Sequence, residues 1–106
     1  MAELTGKQRR HLRVLGQQLT ATLHVGQEGV NEAVVRQAHA QLEARELIKV
    51  RVGDNAPEDR HATAEALAQH TRAHLAQVIG RTALLYRRRV EDPSIVLPPP
   101  RERPRG

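Results

Sequence analysis

The amino-acid sequence predicts an α/β domain with the order α-β-α-β-α-β-β, its four strands forming a sheet covered by helices. Three observations predict it. Apolar residues alternate with polar ones in short runs at 20–25, 47–52, 75–79 and 82–88, the period of half-buried strands. Ahead of each of the first three runs, leucine, valine and alanine recur at three- and four-residue spacing, the period of a helix face. Clusters of Gly, Asn, Asp and Pro separate many of these stretches.

The elements follow in order. Thr5-Gly6-Lys7-Gln8 fits a capping box, Thr at the N-cap and Gln three residues on, and starts a helix over 5–19. Leu12, Leu15 and Leu19 share its inner face, and Lys7, Arg9, Arg10 and Arg13 fall on the remaining surface. In the strand over 20–25, Ala21, Leu23 and Val25 alternate with Thr20, Thr22 and His24, and the run stops at Gly26-Gln27-Glu28-Gly29. Asn31 is the N-cap of a second helix, with Val30 placed to staple onto Val35. Val34, Val35, Ala38 and Leu42 form its apolar stripe, which ends near Arg45.

In the second strand, Leu47–Val52, the side chains of Ile48, Val50 and Val52 point one way and those of Lys49 and Arg51 the other. Gly53-Asp54-Asn55 is a turn, and Pro57 suits the first turn of a third helix that ends near His70. Its apolar side is thin: Ala64, Leu67 and Ala68. The last two strands flank Gly80-Arg81, and glycine at the first central position fits a type II′ hairpin. Residues 89–106 hold five of the six prolines and predict an extended, mostly disordered tail. Only Ile95-Val96-Leu97 is apolar enough to dock back. The expected division is a domain over 1–88 and a tail over 89–106.

Composition narrows the function. The 106 residues suffice for one domain with an aliphatic core, since Phe and Trp are absent and Tyr86 is the single tyrosine. The lack of cysteine excludes disulfides, thiol catalysis and cysteine-ligated metals. No apolar stretch approaches the roughly 20 residues that span a membrane, and the N-terminal residues lack a signal-peptide pattern. A soluble cytoplasmic monomer is expected. The charge is uneven. Residues 1–20 carry four basic and one acidic residue, residues 28–65 five basic and eight acidic, and residues 87–106 six arginines and three acids. Basic ends around an acidic middle favour a polyanionic partner.

No catalytic set is legible: Ser94 is the only serine and lies in the proline-rich tail. His70 and His74 are four apart but lack the glutamate of a zinc-protease motif, so no metal and no cofactor are expected. Glu43, Glu46, Glu58, Asp59 and Glu65 read as helix-surface and helix-start charges. The strongest candidate for binding is the Gly26–Gly29 loop, a GXXG between a strand and a helix N-terminus. Glycines let backbone approach an anion there, and free N–H groups attract phosphate. As one aromatic cannot build a base-stacking platform, backbone and shape recognition is expected.

Five segments then occur together in one order and spacing: Leu4-Thr5-Gly6-Lys7-Gln8-Arg9, the strand–GXXG–helix at 23–35, Glu46-Leu47-Ile48-Lys49-Val50, Gln77-Val78-Ile79-Gly80-Arg81 and Leu84-Leu85-Tyr86-Arg87. In this the chain resembles the YhbY-like proteins, single CRM (chloroplast RNA splicing and ribosome maturation) domains, over residues 4 to about 88. The resemblance implies a two-layer α/β fold with a four-stranded mixed sheet, similar to the C-terminal domain of a bacterial translation initiation factor. It implies RNA binding without catalysis, no small-molecule substrate, and association with precursors of the large ribosomal subunit. Carried over by position, the RNA-binding residues are Gly26, Gln27, Glu28 and Gly29 of the loop, with Lys7, Arg9, Arg10, Lys49, Arg51, Arg81 and Arg87 as basic surface. Gln27-Glu28 departs from the lysine or small polar residue that many members carry in the loop, which favours loop amides over loop side chains as the phosphate contact. The arginine-rich end beyond Pro98 is also unlike the short family ending and would add non-specific affinity. The alternative reading is a protein-interaction domain with no RNA ligand.

Overall fold

The computed structural model describes residues 3–99. Helix α1 (Gly6–Gly16) leads into β1 (Ala21–Val25), α2 (Glu32–Arg45), β2 (Leu47–Val52), α3 (Arg60–Thr71), β3 (His74–Ile79) and β4 (Thr82–Tyr86). The sheet order is β1-β2-β4-β3. β1 and β2 run parallel, and β4 is antiparallel to both of its neighbours, so the sheet is mixed as expected.

The helix starts are made by the residues the sequence nominates. Thr5 Oγ1 accepts from the Gln8 amide at 3.1 Å while Thr5 N–H donates to Gln8 Oε1 at 3.1 Å, closing the capping box. Asn31 Oδ1 accepts from Val34 N–H at 2.9 Å. Helix α3 begins later than expected. Asp59 is its N-cap, accepting from Ala62 N–H at 2.8 Å, and Pro57 lies in the preceding loop rather than in the first turn. A carboxylate able to take a free helix N–H outweighs the preference of proline for a helix start. That bond to Ala62 N–H lowers the Asp59 pKa.

Two aliphatic clusters sit on the two faces of the sheet. On one face Leu23, Val25, Ile48, Val50 and Leu85 meet Ala38 and Leu42 of α2 and Leu67 and Ala68 of α3. Val30, Val34 and Val35 pack against the same cluster. On the other face Leu12 of α1 joins Leu4, Leu47, Ala76, Leu84 and Tyr86. The sheet with α2 and α3 makes the two expected layers, and α1 covers part of the opposite face. Gly16 allows its close approach: a Cβ there would lie 2.5 Å from a methyl of Leu84, which is itself buried.

The chain does not leave this body at residue 88. Glu46, read from the sequence as a surface acid, is fully buried. Its Oε1 accepts from the Ser94 amide (2.8 Å), the Ser94 hydroxyl (3.0 Å) and the Ile95 amide (2.9 Å), and its Oε2 accepts from the Arg89 amide (2.8 Å). Burial alone would raise its pKa. The hydrogen bonds from Arg89, Ile95 and Ser94 outweigh it and hold the pKa down to about 2. Ile95 and Leu97 pack against the α1-side cluster, Val96 is exposed, and Pro98 C=O accepts from Gln8 Nε2 at 3.0 Å. In residues 89–98, expected to belong to a mostly disordered tail, the amides of Arg89, Ser94 and Ile95 are gathered by a carboxylate 43 to 49 residues upstream. Residues 100–106, including the last three arginines, lie outside the described residues.

Candidate nucleic-acid interface

Strand register builds the site. Leu23 and Val25 pair with Val50 and Val52 on the helix-covered face, so His24 and Arg51, which also pair, share the other face. Arg51 in turn pairs with Thr82, and Thr82 with Ile79. The result is a row His24–Arg51–Thr82–Ile79 across the sheet. The next row holds Lys49, Leu84 and Gln77. Arg13 and Gly16 of α1 and Gln17 just after it stand beside Lys49, Gln77, Ile79, Thr82 and Leu84, lining a cleft of about 190 Å³. Lys7 and Arg10 are exposed on α1. Arg9 is half-buried. Burial of the ring lowers the His74 pKa, and the Arg9 charge lowers it further.

The loops after β1 and β2 and the β3–β4 turn lie at the edge of this surface, because Val25 pairs with Val52 and Arg51 with Thr82. Gly53 N–H donates to Val25 C=O at 2.8 Å and ties the first two loops together. The GXXG loop is a tight turn closed by Gly29 N–H to Gly26 C=O at 2.9 Å. Gly29 sits at φ +70°, and a Cβ there would lie 3.0 Å from Pro57, so glycine is required for geometry alone. Among the described residues the amides of Gln27 and Glu28 carry no hydrogen bond, whereas that of Gly29 is already used. Arg81 Nε lies 2.6 Å from Asp54 Oδ1 in a solvent-exposed pair. Such a pair is weak and can exchange partners. Gly80 takes φ +55°, as a type II′ turn needs, and Thr82 Oγ1 donates to Ile79 C=O at 3.0 Å.

Of the expected site residues, Lys49, Arg51, Arg81 and the loop Gly26–Gly29 gather at this surface and its edge, and Lys7, Arg9 and Arg10 are carried by the helix that flanks it. Arg87 does not join them. Its guanidinium donates to Thr71 C=O (2.8 Å), His39 Nδ1 (2.8 Å) and His39 C=O (3.4 Å), and it pairs with Glu43 at 3.3 Å. It ties β4 to α2 and α3, on the far face and at the far end of the sheet. Tyr86 is buried and its ring stacks on His74, with centroids 6.2 Å apart, so it offers no face to a base. Burial also raises its pKa. Sequence reasoning missed Arg13 and His24 as site residues. Their signals were present: Arg13 lies on the basic side of α1, and His24 alternates out of phase with Leu23 and Val25.

Residues 4–87 match the model of the CRS1/YhbY (CRM) domain. The chain belongs to this family. The Bacillus subtilis protein named "Probable RNA-binding protein YqeI" is 47% identical over 95 residues, covering 90% of this chain and 99% of that protein. A Pseudomonas aeruginosa protein, "Probable RNA-binding protein PA4753", is 34% identical and covers 80% of this chain and 82% of its own length. The solution structure of SAV1595 from Staphylococcus aureus is similar at a TM-score of 0.77 and 43% identity, over 90% of this chain and 99% of that one. Among the described residues of this CRM domain no three His, Cys, Asp or Glu side chains gather as metal ligands, and no helix is long and apolar enough to cross a membrane.

Proposed function

We propose that this CRM domain binds structured RNA, as a cytoplasmic monomer and without catalysing a reaction, and that its target is a precursor of the large ribosomal subunit. The observation that carries the RNA reading is the register that sets Lys49 and Arg51 on the sheet face α1 leaves open, with Arg13 lining the same cleft. Phosphate neutralisation by such residues releases counterions and makes affinity fall steeply with salt. The amides of Gln27 and Glu28 add donors at the edge, where phosphate needs no loop lysine. With Tyr86 buried, contact is to backbone and shape rather than to stacked bases. The names of the curated relatives support RNA as the ligand, and the family resemblance supports the ribosomal target.

The test is to crosslink the protein to RNA in its own cells and sequence what is attached. Reads clustered on large-subunit ribosomal RNA are the expected result. Reads confined to transfer or messenger RNA would overturn the ribosomal target, and an empty library would overturn RNA binding itself.

A further inference from the structure

A second basic surface lies on the opposite side of the molecule. Arg36 and His39 of α2, His70 and Arg72 at the end of α3, and Arg87 and Arg88 after β4 line an open groove of about 880 Å³. Glu43 is the one acid in its lining, and Arg87 already pairs with it at 3.3 Å. The Arg87 guanidinium is fixed in the groove wall by Thr71 C=O and His39. Arg36, Arg72 and Arg88 are exposed, and among the described residues their side chains make no hydrogen bond or ion pair. Cations near a helix C-terminus are favoured by the helix dipole, which accounts for His70 and Arg72. It does not account for Arg36, which lies in the first half of α2, or for Arg88, which lies outside any helix.

The chemistry of the lining selects the ligand. Guanidinium groups match phosphate oxygens two at a time. No Phe, Tyr or Trp lines the groove, and Ala40 and the exposed Val90 are the only apolar residues among its lining. We infer that this groove is a second site for RNA phosphates, so that one molecule holds two RNA segments, one on each side of its sheet. α1 and the α2–α3 pair cover opposite faces, so one straight duplex cannot reach both surfaces. The inference builds on the RNA reading of the sheet face above.

Sedimentation equilibrium of the full chain with a short RNA hairpin in excess counts hairpins per chain. Two are expected for the unaltered protein and one for Arg36→Glu/Arg88→Glu. Both substituted side chains are exposed and make no hydrogen bond or ion pair among the described residues, so the variant should keep its circular dichroism and urea midpoint. Milder changes, Arg36→Ala/Arg88→Ala, should reduce the salt dependence of the second binding step by about one per arginine. Two hairpins on the charge-reversed groove variant would overturn the inference. One hairpin on the unaltered protein, lost with Lys49→Glu/Arg51→Glu, would overturn it while leaving the sheet site standing. One hairpin lost only with the groove variant would support the groove and overturn the sheet reading. Groove residues that take an acidic peptide but no hairpin would overturn the inference in favour of a protein partner.

Discussion

Arg51, near the end of β2, and Arg87, just past the end of the adjacent β4, do opposite things. Arg51 projects from the open sheet face, exposed, with no partner among the described residues. Arg87 is only 17% exposed at its side chain, and its donors are taken by Glu43, His39 and a carbonyl of α3. Arg89 resembles Arg87: it donates to Ala44 C=O at 3.0 Å and Asp92 C=O at 2.7 Å, satisfying the end of α2. A basic sequence thus divides into charge that holds the fold and charge left exposed. Counting arginines does not separate the two; strand register and the partners of each guanidinium do.

The largest effect that would test this division is at Glu46. Replacing it with glutamine sets an NH2 group against amides that need an acceptor, and should cost about 2–3 kcal/mol at neutral pH in urea unfolding. A cost under about 0.5 kcal/mol would mean that 89–95 is not held as described. The same carboxylate predicts a pH dependence. Its pKa is about 2 in the folded protein against an ordinary 4.5, so its contribution is complete above 4.5 and disappears as pH falls toward 2. The Glu46→Gln variant should lack that acid-dependent loss. Next in size, Arg87→Ala should destabilise by about 2 kcal/mol, because it strips the bonds to α2 and α3 and leaves Glu43 without its partner. Gly16→Ala should cost roughly 1–2 kcal/mol by overpacking against Leu84. Arg51→Ala is the smallest, within about 0.5 kcal/mol on stability. If Arg51→Ala destabilises as much as Arg87→Ala, the division fails.

Local signals were legible in the sequence. The Thr5–Gln8 box, the Asn31 cap, the Gly80-Arg81 turn and the alternation of Lys49 and Arg51 with Ile48, Val50 and Val52 all depend on neighbours within a few residues. Glu46 and Arg87 were misplaced because their partners are distant in the chain. Glu46 binds amides at 89–95, and Arg87 meets His39 and Glu43, 48 and 44 residues away. Nothing near either residue announces that burial. Pro57 misled for a different reason: two start signals, Pro57 and Asp59, stood two residues apart, and the stronger hydrogen-bond acceptor took the cap. The candidate site was half legible. Its residues could be named from alternation and resemblance, but their convergence required the β1–β2–β4–β3 order.

The central claim is that the open sheet face carries RNA. It is tested most directly by titrating structured ribosomal RNA with Lys49→Glu/Arg51→Glu at several salt concentrations, alongside the unaltered protein. Unchanged folding is expected, with affinity for the sheet-face segment lowered roughly tenfold or more and a salt dependence reduced by about two. A folded double variant with unaltered affinity and salt dependence would contradict it.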